Sequence, residues 1–206
     1  DIVASGSQKG YMIPPGLSFI AMSQKAWEAA EKSNLPKFYL NLKSYRKSLL
    51  SNSNPYTPAV NLVFALDEAL KMMREEGLDN IFLRHNKHKL AMSNAVKALN
   101  LKLFADEKYL SPSITAIKTE GIDAEEFRKK IKNNFDILLA GGQDHLKGKI
   151  FRVGHLGYVN DRDIITVVSA ISNTLLDLGK ITSQQAGEAL VAVSYTHLTL
   201  PTNSNV

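Results

Sequence analysis

Apolar residues recur along much of the chain at the three-to-four residue spacing of an amphipathic helix. Residues suited to cap a helix stand at several of the segment starts, and glycine follows two of the ends. The segments are regular enough to predict six helices. They are Ser23–Lys32, Ala59–Glu76, Leu78 to about Leu99, Asp123–Asn133, Asp161–Leu178 and one that begins at Thr182.

Shorter segments alternate apolar and polar positions, which predicts strands. They are "LKLFAD", "SITAIKT", "DILLAGG" and "KIFRVGH", and the first residues, "IVA", are typical of the end of a strand. From Leu78 onward the predicted order is helix, strand, strand, helix, strand, strand, helix, which indicates a self-contained α+β layer. The part before it consists of loops and helices that resemble the end of a larger fold. We therefore predict a domain boundary near residue 76.

The composition indicates a globular protein, because 206 residues with 44% hydrophobic and 22% charged side chains can bury a substantial core. No apolar run approaches the length of about 18 residues that a membrane span needs. The absence of cysteine excludes disulfides and thiolate metal sites and is typical of a cytoplasmic protein.

The net charge of +5 is spread thinly, and only "RHNKHK", residues 84–89, is densely basic. No aromatic residue is interleaved there for base stacking, so we predict a solvated helix face and no nucleic-acid partner. His85 and His88 lack a third ligand nearby. We expect both to be surface residues rather than metal ligands.

The C-terminal stretch "VSYTHLTLPT" has the residues of an edge strand, but it resembles the translation of a sequencing adapter. We therefore predict that Val193–Val206 is a non-native tail. The chain begins at Asp1 without an initiator methionine, and both ends together indicate an interior piece of a longer gene.

Two residues are candidates for chemistry. Lys9 lies among small residues in "SGSQKGYMIPPG", before a Pro-Pro-Gly turn, which suits a rigidly presented amine, although this motif alone favours a solvated loop lysine. Arg152 lies in "KIFRVGH", where Ile150 and Gly154 share its face of the strand. If it is buried it needs an anion, and if it is exposed a neighbouring carboxylate would serve.

Three motifs, in this order, resemble the class V aminotransferases, which are pyridoxal-phosphate enzymes of fold type I. They are "SGSQKGYMIPPGLSFIAMSQKAWE", "NPYTPAVNLVFALDEALKMM" and "AGGQDHLKGKIFRVGHLGYV". The resemblance covers residues 1 to about 180 and is strongest to the alanine or serine to glyoxylate or pyruvate branch. It implies a mixed α/β and α+β fragment. Residues 1–76 would be the end of the cofactor-binding large domain and residues 77–192 the C-terminal small domain.

The resemblance also implies site residues. The lysine matched by Lys9 forms the Schiff base with pyridoxal 5'-phosphate and moves the substrate proton. Gln8 is expected to reach the cofactor phosphate, and Thr57 to bind the phosphate held by the other subunit of a homodimer. Arg152 is expected to grip the substrate α-carboxylate. Asn54 stands where some members have a phosphate-binding aromatic residue, which leaves Tyr56 as a replacement.

The implied function is transfer of an amino group from alanine or serine to glyoxylate or pyruvate, by a parent enzyme of which this chain is an incomplete and inactive fragment. Two alternatives stay open: a phosphoserine-type aminotransferase, and a non-catalytic accessory protein of the same fold. A cysteine desulfurase is disfavoured, because Gln8 rather than histidine precedes Lys9 and cysteine is absent.

Overall fold

The computed structural model describes residues 1–199, with side chains described up to Ser194. The chain divides into two compact units. The first unit is Asp1–Glu75, and the second begins at Glu76. The division falls next to the boundary expected near residue 76.

The first unit opens with an antiparallel hairpin, in which β1 (Ile2–Gly6) pairs with β2 (Ser18–Met22). Helices α1 (Gln24–Lys32), α2 (Leu42–Leu50) and α3 (Val60–Glu76) follow. The Ser23 hydroxyl accepts the N–H of Ala26 at the start of α1, in agreement with the predicted cap. The periodicity of the sequence predicted neither β2 nor α2.

The first unit buries little apolar surface. Ile13 and Ala26 are the only buried hydrophobic residues within residues 1–75. No residue of α3 is buried, and on this helix Val60, Val63 and Phe64 are 52%, 47% and 71% exposed. An amphipathic helix is stabilised mainly by packing of its apolar face. In α3 such a face is left uncovered.

The second unit alternates helices with an antiparallel sheet. Its sheet has the strand order β3-β4-β6-β5, so the two-residue strands β3 and β5 form its edges. The elements are α4 (Leu78–Ala98), β3 (Lys102–Leu103), β4 (Ile114–Lys118), α5 (Ala124–Phe135), β5 (Ala140–Gly141), β6 (Ile150–Gly154), α6 (Asp161–Asp177) and α7 (Ser183–Thr199). Short 3-10 turns occupy Glu107–Tyr109 and Asp144–Leu146.

One face of this sheet builds the core. Phe151 and Val153 of β6 and Ile117 of β4 are buried there, and the ring of Phe151 lies 5.1 Å from that of Phe127 on α5. Helices α4, α6 and α7 supply most of the remaining core side chains. The core therefore lies between the sheet and its helices, as expected for a layer that folds on its own.

Gly77 joins α3 to α4 without an intervening loop. Its φ of 84° is a conformation that side-chain-bearing residues rarely adopt. At the far end of the unit, α6 begins with a capping box, in which the Asn160 side chain and Asp163 satisfy each other's backbone N–H groups.

The predicted tail is described only in part. Residues 193–199 continue α7, so the strand that the pattern alone allowed does not form there. Val193 itself is fully buried in the core. The rest of the predicted tail, residues 200–206, lies outside the described residues, and the tail's origin stays a prediction. No helix in the described part of the chain is both long and apolar enough to cross a membrane.

We expect Phe127→Ala to lower the free energy of unfolding of the second unit by about 3–5 kcal/mol, because it removes a fully buried ring from the core. Phe82→Ala is the matched control on α4, where the ring is 60% exposed, and should change stability by less than about 0.5 kcal/mol. Hydrogen exchange of the slowest amides of β4 and β6 measures both. Equal effects would contradict the assigned core.

Candidate cofactor and substrate site

Lys9 lies on the loop that joins the two strands of the hairpin. Its side chain is exposed, and its carbonyl accepts the N–H of Met12, closing a tight turn in which Met12 takes a φ of 53°. The amine is therefore presented on a turn that the backbone itself closes.

Ser7 holds the base of this loop. Its hydroxyl is fully buried, donates to the Pro14 carbonyl at 2.8 Å and accepts the N–H of Leu17 at 3.2 Å. Its backbone N–H and carbonyl also bond, to Leu17 and Ile13 respectively. Ser7 thus has a structural role, bracing the loop that presents Lys9.

The segment around Thr57 lines a pocket of about 470 Å³ within the first unit. Thr57 and Asn54 share it with Gly16 and Leu17 from the end of the Lys9 loop. Gly16 lies tightly against α3, since a Cβ at this position would come within 2.6 Å of Leu62. The structure thus places Thr57 next to the hairpin end, while neither Lys9 nor Gln8 lines this pocket.

Tyr56 is engaged in packing. Its hydroxyl donates to the Phe38 carbonyl at 3.2 Å, and its ring lies 4.8 Å from Tyr39 and 6.0 Å from Tyr45. Desolvation, then the hydrogen bond with Tyr39, raises the pKa of Tyr45. The aromatic cluster therefore stabilises the loop, and the Tyr56 hydroxyl is already committed within it.

Arg152 lies in the middle of β6, on the face opposite Phe151 and Val153. Its side chain is half-buried, and its Nε donates to the Gly141 carbonyl at 2.9 Å. No carboxylate among the described side chains pairs with it. The sequence left two partners open for Arg152, a neighbouring carboxylate or a bound anion. The described residues supply no such carboxylate, and both terminal NH2 groups remain available for an anion.

The basic run on α4 is not a solvated face. His88 is fully buried, and its Nε2 lies 3.0 Å from Asp161 at the start of α6. Arg84 donates to both oxygens of Glu76, which lowers the pKa of that carboxyl, and to the carbonyls of Gly157 and Val159. The prediction of a surface histidine was wrong for His88, because the loop after β6 packs on this helix.

His85 shows the same packing. The N–H of Gly157 donates to its Nε2 at 3.1 Å, so the ring proton lies on Nδ1 and bonds the Ile81 carbonyl. Within the described residues no group of three or more histidine, aspartate or glutamate side chains is arranged to hold a metal ion.

His155, directly after β6, forms hydrogen bonds with both of its ring nitrogens. Its ring is fully buried, donates from Nδ1 to the Pro112 carbonyl and accepts the Thr115 hydroxyl at Nε2. Burial, and to a smaller extent the charge of His88, lowers the pKa of His155 to about 4. A neutral ring therefore ties β6 to β4.

Several known proteins are similar to the chain. No family model matches it. The L-aspartate–glyoxylate aminotransferase of Paracoccus denitrificans is 34% identical over 97% of this chain and 51% of its own length. The solved structure of a pyridoxamine-pyruvate aminotransferase from Mesorhizobium loti superposes with a TM-score of 0.87 at 26% identity, over 96% of this chain and 51% of that one. The chain belongs to the class V aminotransferases.

This class V chain has the mixed α/β fold of fold type I, in agreement with the sequence prediction. It spans about half the length of the curated relatives it matches, which is consistent with the predicted C-terminal fragment. A further relative has a different kind of name. The soluble hydrogenase 42 kDa subunit of Anabaena cylindrica is 56% identical over 87% of this chain and 47% of its own length.

Because the pKa of His155 is lowered from about 6.5 in the unfolded chain, its contribution to stability is complete above pH 6.5 and is lost on acidification towards pH 4. We expect a loss of up to roughly 3 kcal/mol from this group. His155→Gln should flatten the dependence of the unfolding free energy on pH, whereas His145→Gln, at an exposed turn, should not. An unchanged slope for His155→Gln would contradict the neutral buried ring.

Proposed function

We propose that this chain is the C-terminal half of a pyridoxal-phosphate-dependent transaminase that moves an amino group from alanine or serine to glyoxylate or pyruvate. Relatives that use glyoxylate support this choice of amino-group acceptor, among them the serine–glyoxylate aminotransferase of Methylorubrum extorquens, which is 35% identical over 95% of the chain. The single observation that carries the proposal is Arg152, a half-buried guanidinium with no carboxylate partner among the described residues.

The residues present fit pyridoxal 5'-phosphate in their chemistry. Lys9 offers an exposed primary amine on a braced turn, and Gln8 and Thr57 offer neutral hydrogen-bond donors suited to a phosphate. When bound, the cofactor supplies an aldehyde for covalent attachment and a ring that stores the electrons released from the substrate Cα. Lys9 would hold it covalently, while Gln8 and Thr57 would bind its phosphate, Thr57 across the interface of a homodimer.

Lys9 also has a task in proton transfer. Once the amino group of the substrate took the place of Lys9 on the cofactor, the freed Nζ would hold the proton that is removed from the substrate Cα. The bonds from Ser7 to Leu17 and Pro14 restrict the loop and so restrict the positions that the amine can take.

Arg152 would bind the α-carboxylate of the substrate end-on. Its Nε is already occupied by the Gly141 carbonyl, so the two terminal NH2 groups form the only fork that can hold both carboxylate oxygens. This arrangement accepts any small α-amino acid or 2-oxo acid and leaves the choice of side chain to other residues.

The uncovered face of α3 supports the view that this chain alone is inactive. Val60, Val63 and Phe64 need a partner surface that residues 1–75 do not supply. Among the described residues, we assign none to stack on the cofactor ring or to pair with its nitrogen. We infer that these functions belong to the other half of the full-length protein.

A second candidate function is that of a non-catalytic hydrogenase subunit, which is favoured by the 56% identity to the Anabaena cylindrica protein. A purely accessory role would not require Lys9 or the unpaired fork of Arg152. Purification of the tagged full-length protein from its host distinguishes the transaminase function from the accessory one. Hydrogenase activity in the purified complex together with a lack of cofactor would favour the accessory role.

In the full-length protein, borohydride reduction should attach the cofactor permanently to Lys9, because only the lysine that bonds it is labelled. Peptide mapping locates the label. Lys9→Ala should abolish it, while Lys25→Ala, an exposed lysine of α1, should leave it unchanged. Labelling of another lysine would refute the assignment.

Arg152→Lys in the full-length protein should keep its cofactor but lose roughly 2–4 kcal/mol of transition-state binding for alanine, since lysine cannot present a planar fork. The ratio kcat/KM with alanine and glyoxylate measures this loss. Arg162→Lys, at an exposed position of α6, is the control. Catalytic efficiency that is unchanged by Arg152→Lys would rule out the carboxylate role.

A further inference from the structure

Arg152 is held by an unusually short edge strand. Strand β5 consists of Ala140 and Gly141, and Gly141 provides the carbonyl that receives the Arg152 Nε. A two-residue strand makes few ladder bonds of its own, so something else must fix that carbonyl if the guanidinium is to keep its position.

The direction of the β5 carbonyls follows from the ladder. The N–H of Gly142 donates to Ile150 of β6, and successive residues of an antiparallel strand face opposite ways. The carbonyls of Leu139 and Gly141 therefore face the free edge of the sheet, where they have no strand partner. Each is satisfied by an arginine: Arg128 Nε donates to Leu139 at 2.8 Å, and Arg152 Nε donates to Gly141 at 2.9 Å.

Arg128 is fixed in turn by Glu125, one turn earlier on α5. Its Nη1 donates to Glu125 Oε2 at 2.8 Å, and the two side chains are 23% and 39% exposed. The other carboxylate oxygen, Oε1, is buried without a hydrogen bond among the described residues.

Gly141 lies directly under this ion pair. A Cβ at Gly141 would come within 2.5 Å of Arg128 Nη1 and 2.6 Å of Glu125 Oε1. Real Cβ atoms essentially never come so close to another atom, so the pair lies this near the strand only because residue 141 has no side chain.

We propose that Glu125 and Arg128 are positioning residues for Arg152. The ion pair packs over Gly141, and Arg128 binds the Leu139 carbonyl, so together they fix the edge strand. The Gly141 carbonyl then fixes the Arg152 guanidinium through Nε and leaves its terminal NH2 groups free. Neither Glu125 nor Arg128 needs to touch a substrate. The consequence for substrate binding rests on the proposed function of Arg152, whereas the positioning itself does not.

The positioning is testable in the 206-residue chain by NMR, through the hydrogen exchange of the Arg152 Nε–H, which is assigned by its loss in Arg152→Lys. We expect Arg128→Met to speed this exchange by about tenfold, since the hydrogen bond to Gly141 is weakened. The amides of Ile117 and Phe151 in the core should exchange as before, and Arg162→Met is the matched control. Unchanged exchange at Arg152 in Arg128→Met would overturn the proposal.

Two further variants keep the test decisive if Arg128→Met fails to fold. Glu125→Gln removes the charge and keeps the shape, and Gly141→Ala pushes the ion pair away from the strand. Faster Arg152 exchange in both supports the positioning role, and unchanged exchange in both overturns it.

The substrate consequence has its own readout in the full-length protein. Glu125→Gln should raise KM for the amino acid several-fold with kcat largely kept, because the fork is displaced rather than removed. Faster exchange with an unchanged KM would count against carboxylate binding by Arg152 and leave the positioning role supported.

Discussion

Burial of Phe151 and Val153 on one face of the small sheet determines where Arg152 lies. Side chains alternate along a strand, so two apolar residues packed against α5 and the other core helices force the residue between them to the opposite face. A shift of β6 by one residue would place a charged group in the core. The position of the arginine is therefore set by the same interaction that stabilises the unit.

The two units differ in how much apolar surface they bury. The second unit has a continuous core of sheet and helices, and on α4 Arg84 is paired with backbone carbonyls of the loop after β6 and His88 with Asp161 at the start of α6. The first unit has almost no core within residues 1–75, but its hairpin loop is tightly hydrogen-bonded around Ser7. Local hydrogen bonds thus define the Lys9 loop where apolar packing is scarce.

Much of this architecture could be predicted from the sequence, because long amphipathic segments such as α3 and α6 carry strong periodicity and clear end signals. Helix α2 has Leu42, Tyr45 and Leu49 at helical spacing, but it is only nine residues long, which is shorter than the segment over which periodicity is a strong signal. His88 contacts Asp161 at the start of α6, 73 residues away in sequence, and no local pattern records such a contact. Likewise, Lys9 and Arg152 could be singled out as candidates, but the role of Glu125 and Arg128 appears only once β5 and α5 are seen together.

If the chain is half of a transaminase in which Lys9 and Arg152 have the proposed roles, the full-length protein should transfer an amino group to glyoxylate. The most direct measurement is glycine formation from glyoxylate with alanine or serine as donor, made on the full-length protein and on the 206-residue chain side by side. We expect turnover by the full-length protein and none by the chain alone. A full-length protein that binds the cofactor yet forms no glycine from either donor, or turnover by the 206-residue chain, would contradict it.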